Sequence, residues 1–69
     1  MIPPKRLIRA LEKAGFIIIR QKGSHVAMRH PEKGLTTSVP QHPRDLKKWL
    51  FKSILKQADM TEEELQKLL

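Results

Sequence analysis

The run Phe16-Ile17-Ile18-Ile19-Arg20-Gln21-Lys22 breaks at Lys22-Gly23 and is followed by Ser24 to His30, where Val26 and Met28 alternate with His25, Ala27 and Arg29. Strands favour β-branched and aromatic side chains, and strict alternation sends one set to each face of a sheet. A turn signal between two such runs makes them antiparallel neighbours. Pro31-Glu32-Lys33-Gly34 is a second turn, after which Leu35-Thr36-Thr37-Ser38-Val39 reads as a third strand ended by Pro40. The middle of the chain is therefore a three-stranded meander.

Helical patterns flank it. Pro3 and Pro4 suit a helix start and Gly15 a stop, because proline at the first helical position loses no hydrogen bond and glycine closes the end. Between them Leu7, Ile8, Leu11 and Ala14 recur at helical spacing, with Lys5, Arg6, Arg9 and Lys13 on the opposite side. After the link Gln41-His42-Pro43-Arg44, a second helix is expected from a cap at Asp45 to about Ala58. Its apolar arc is Leu46, Leu50, Phe51, Ile54, Leu55 and Ala58; Lys48, Lys52 and Lys56 line the other side, with Trp49 among them. Thr61 followed three residues on by Glu64 is a capping-box pattern, so Glu62 to Leu69 is expected as a short last helix with Leu65, Leu68 and Leu69 turned inward. The order helix, three strands, helix, short helix implies a two-layer α+β fold in one domain, residues 1–69.

A chain of 69 residues spends roughly 1.5 kcal/mol per residue on ordering, which one small core barely offsets. Support from a partner or a second copy fits that size. The chain has no Cys, which excludes disulfides and thiolate metal sites and suits a reducing cytoplasm. No run approaches the ~20 apolar residues of a membrane span, and no apolar segment follows the start as in a signal peptide. A soluble, unprocessed cytoplasmic protein is expected.

The formal charge is +7, and its distribution is uneven. Nine of the 14 Lys and Arg lie in residues 1–44 against Glu12 and Glu32, whereas residues 45–69 are balanced, with Asp59, Glu62, Glu63 and Glu64 near the end. A basic field over most of a fold attracts polyanions, nucleic acid before an acidic protein or an anionic membrane. The plainer reading is a cationic surface that serves solubility.

Gly23-Ser24-His25 is the candidate site within that field. RNA can be cleaved without a metal if a base removes the 2′-hydroxyl proton, an acid protonates the leaving oxygen, and cations offset charge on the phosphate. Histidine suits either proton transfer near neutral pH. His25 is the candidate, with Arg20, Lys22 and Arg29 as phosphate clamps and the Gly23-Ser24 backbone open to close approach. Ser24 either orients the phosphate or satisfies the turn, and His25 taken alone reads more readily as an ordinary exposed strand residue than as a catalytic one. His30 and His42 each precede a proline and read as turn residues, though His42 is also a candidate second acid–base group. A zinc site from the three histidines lacks close ligand spacing such as H-x-x-x-H and any Cys.

The segments Ile18-Ile19-Arg20-Gln21-Lys22-Gly23-Ser24-His25-Val26, Arg29-His30-Pro31, Val39-Pro40-Gln41-His42 and Ser53-Ile54-Leu55-Lys56-Gln57-Ala58 together resemble the HicA, or YcfA-like, toxins. The resemblance covers nearly the whole chain in order. It implies a fold like double-stranded-RNA-binding domains, with two helices on one face of a three-stranded antiparallel sheet. It also implies a metal-independent ribonuclease without cofactor that cuts mRNA and halts translation, with His25 as catalytic histidine on the Gly23-Ser24 turn. Its implied partners are mRNA and a HicB antitoxin that covers the site, with no membrane; the free toxin is expected as a monomer. Arg20, Lys22, Gly23, Ser24, Arg29 and Lys52 are the expected RNA contacts. Three positions depart from the family pattern: Trp49-Leu50 replaces a helix-opening Gly-Thr pair, and Asp59 replaces a glycine. The first suggests an earlier helix start, and Trp49 becomes a candidate for stacking on a base, anchoring a partner or closing the core edge. A non-catalytic RNA-binding module of the same fold, and a module that meets an acidic protein, are the alternative readings.

Overall fold

The computed structural model describes residues 2–41 and 44–69; His42, with its candidate acid–base role, lies outside them. Helix α1 spans Pro4–Lys13, strands β1, β2 and β3 span Ile17–Lys22, His25–His30 and Leu35–Pro40, and helices α2 and α3 span Lys48–Gln57 and Glu62–Gln66. The strands form one antiparallel sheet in the order β1-β2-β3. This is the α+β arrangement the sequence predicts, like that of double-stranded-RNA-binding domains.

Alternation in β2 builds the interface between the layers. Val26, Met28 and His30 are buried while His25 and Arg29 are exposed, and β3 contributes Thr37 and Val39 to the same buried face. Leu7 and Leu11 of α1, Ile54 of α2 and Leu65 of α3 close over that face with no more than 1% exposure each. Burial of a Val- to Met-sized side chain stabilises by about 1.5–3 kcal/mol, so these few residues carry much of the fold. A polar bond also joins the layers: the Thr37 hydroxyl donates to Gln57 Oε1 at 2.7 Å.

Both long helices end in the same way. Phe16 N–H bonds the Leu11 carbonyl and Gly15 N–H that of Glu12, each at 3.0 Å, with Gly15 at φ 107°. At the end of α2, Met60 N–H bonds the Leu55 carbonyl at 2.9 Å and Asp59 N–H that of Lys56 at 3.2 Å, with Asp59 at φ 54°. These are Schellman closures, which need a left-handed residue after the helix. Asp59 supplies it where the family pattern has glycine.

Two expectations at the helix ends are corrected. Helix α2 starts at Lys48, not after a cap at Asp45; its N-cap is Lys47, in extended conformation and without a side-chain cap. The cause is Leu46, which is buried while its N–H bonds the Ile2 carbonyl at 3.1 Å. Residues 45–47 thus run non-helically beside the N-terminal segment, and Leu46 reaches the core from there. The last helix stops at Gln66, and Leu69 is 41% exposed rather than turned inward. Leu65 is buried and Leu68 half-buried, and the Thr61–Glu64 capping box is formed in both directions. Among the described residues no helix is long and apolar enough to cross a membrane.

Candidate active site

The β1–β2 hairpin turns on two residues. Gly23 has φ 60° and Ser24 is not left-handed, the pattern of a type II′ hairpin turn with glycine first. A Cβ on Gly23 would meet nothing within 4 Å, so backbone conformation alone demands glycine and the turn stays open to solvent. The Ser24 carbonyl accepts a bond from Gln41 N–H, which ties the hairpin tip to the end of β3.

Across this turn Lys22 is the direct partner of His25. Directly opposed residues of an antiparallel pair share a face, with Cβ atoms about 5 Å apart. His25 points away from the helices, opposite to Val26, and Lys22 goes with it. The next pairs are Gln21 with Val26 and Arg20 with Ala27, and then the register shifts between Ile18 and Arg20. Ile19 is an extra residue, so Ile19 and Arg20 together oppose Ala27, as in a β-bulge. Beyond it Ile18 pairs with Met28 and Ile17 with Arg29.

The bulge decides the electrostatics of the outer face. Alternation carried unbroken from Ile17 would turn Arg20 and Lys22 toward the helices. The extra residue returns both to the outer side, in successive rows with His25 and Arg29 spaced by about 7 Å along the strands. Arg20, Lys22, His25 and Arg29 are all exposed, and Thr36 and Ser38 continue the Arg29 and Ala27 rows on β3. Four of the expected site residues thus meet on one face. The bulge itself is absent from the sequence reading; its only trace is that the three isoleucines fail to alternate with polar residues.

The remaining candidates separate from that face. Lys52 lies in a groove between α2 and α3, with Leu55, Met60, Glu62 and Glu64. His30 is a structural residue: it is buried, its Nδ1 accepts the Lys33 N–H at 3.2 Å, and its ring meets Phe16 edge-on at 5.2 Å between centroids. The bond fixes the β2–β3 turn and leaves Nε2 facing Gly15. Trp49 is 67% exposed, which excludes the role of closing the core edge. Among the described residues no group of three His, Asp or Glu side chains could hold a metal ion.

No curated protein matches the chain. A family profile described as the HicA toxin of bacterial toxin–antitoxin systems matches residues 4–60, from the first residue of α1 through the closure of α2, and so includes the whole sheet. The chain belongs to the HicA family of toxins.

Proposed function

We propose that this toxin is a metal-independent ribonuclease that cuts mRNA and thereby halts translation, and that a HicB-type antitoxin neutralises it. The observation that supports this best is the bulge at Ile19, which brings Arg20 and Lys22 of β1 to the outer face that His25 and Arg29 of β2 already share. In the proposed reaction the His25 imidazole takes the 2′-hydroxyl proton, and the 2′-oxygen attacks the adjacent phosphorus. The bond to the 5′-oxygen breaks as that oxygen takes a proton from solvent water, leaving a 2′,3′-cyclic phosphate, and the imidazolium returns its proton to the hydroxide formed. Charge grows on the non-bridging oxygens during attack, and the two arginines and Lys22 offset it. The open backbone at Gly23 lets the strand approach closely.

The test in cells compares induced wild type with His25→Ala. Growth arrest and mRNA loss are expected from the first and neither from the second; equal toxicity would overturn the catalytic role. A second reading, RNA binding without cleavage, draws on the exposed Lys5, Arg6, Arg9 and Lys13 of α1. It predicts salt-sensitive RNA affinity with intact RNA at every pH.

A further inference from the structure

We propose that the antitoxin docks on the outer edge of β1, through an extended segment that packs on Ile17, Ile18 and Ile19 and carries carboxylates to Arg20, Lys22 and Arg29. These isoleucines are 51%, 48% and 50% exposed, on a strand paired only with β2 among the described residues. Single exposed apolar residues are ordinary on a protein surface. Three in succession on an edge strand, beside unpaired backbone groups, form a template for strand addition.

The ridge reaches both sides of the edge. Ile17 lies in the Arg29 row of the outer face, Ile18 in the Met28 row toward the helices, and Ile19 beside Arg20 at the bulge. Aliphatic side chains offer a nucleic acid neither charge nor a stacking ring, so RNA is a poor occupant for this strip. A second copy carries the same +7 and would set cation against cation around Arg20 and Lys22. An acidic, apolar protein strand satisfies both the ridge and the flanking cations, and membership of a toxin–antitoxin family supplies a protein partner. Such a strand, laid beside the row of Lys22 and His25, competes with RNA for the same cations. That consequence rests on the proposed ribonuclease reading; the docking itself does not.

The experiment titrates the purified cognate antitoxin into wild type and into the double variant Ile17→Thr, Ile18→Thr, which keeps β-branching along the strand and leaves the bulge residue Ile19 in place. The expected result is at least a hundredfold rise in Kd, with RNA affinity of the free chain unchanged and with β1 amide exchange slowed in the wild-type complex. Unchanged antitoxin affinity in the folded variant overturns the proposal. So does loss of a wild-type dimer by sedimentation, which assigns the ridge to a second copy, or loss of RNA affinity alone, which assigns it to nucleic acid. Ile18→Thr by itself, with a tenfold effect expected, carries the test if the double variant fails to fold. Because the readout is binding, a failure of His25 catalysis leaves this result standing.

Discussion

A Cβ placed on Gly15 would stand 2.7 Å from Nε2 of His30, so the end of α1 and the end of β2 meet where only glycine fits. The φ of 107° at Gly15 adds a conformational demand that an L side chain meets poorly. Gly15→Ala is expected to destabilise by about 3 kcal/mol through strain and overlap together. For a domain of this size that lowers the melting temperature by more than about 10 °C. A thermal melt within a few degrees of wild type would show that the imidazole moves aside freely.

Asp59 is the mirror case. It holds φ 54° at the close of α2, and its charge sits at the helix end where carbonyl dipoles disfavour an anion. Asp59→Gly removes both costs and is expected to raise stability by about 0.5–1 kcal/mol. Chemical denaturation would read this as a higher midpoint at unchanged slope.

The sequence carries the elements more clearly than their joins. Alternation from Val26 to His30 and the capping box at Thr61 are local patterns, and local patterns survive into the fold. Helix α2 begins two residues later than a cap at Asp45 suggests, with Lys47 as its N-cap, because Leu46 is held by a bond to Ile2, a contact between distant parts of the chain that no local pattern announces. Gly23-Ser24-His25 is legible as a turn with a titratable group. That Arg20 and Lys22 share its face depends on one extra residue at Ile19, and bulges leave little mark in a run of similar side chains.

The Thr61 backbone N–H donates to the Glu64 carboxylate at 2.9 Å, and with the Thr61 hydroxyl this bond holds the carboxyl below its usual range; Lys33 and Lys67 add to the effect. A carboxylate whose folded value is depressed stabilises the fold fully above its unfolded value and loses that contribution as pH falls through the folded one. Acidification below the ordinary glutamate range is therefore expected to loosen α3 first, seen as faster amide exchange at Glu64 and Leu65. Glu64→Gln should flatten that acid dependence; an unchanged pH profile would remove the capping box as its cause.

The cations of the outer face and those of α2 are expected to behave differently. Arg20→Ala, Lys22→Ala and Arg29→Ala should each weaken RNA affinity and lower the salt slope by about one. Lys52 shares its groove with Glu62 and Glu64, and Lys52→Ala should change both by less. Fluorescence anisotropy of a short labelled RNA across a salt series distinguishes the outcomes. An equal effect of Lys52→Ala would extend the RNA path onto the helical layer.

RNA cleavage is expected to depend most on His25 acting together with its cross-strand partner Lys22. The direct measurement is single-turnover cleavage of a defined RNA in EDTA by purified wild type and His25→Ala, with a substrate carrying one 2′-deoxy position as control. The expected result is a loss of about 10²–10⁴-fold on removing the imidazole, products ending in a 2′,3′-cyclic phosphate, and no cut at the deoxy position. Wild-type rates from His25→Ala, or cleavage at the deoxy position, would contradict it.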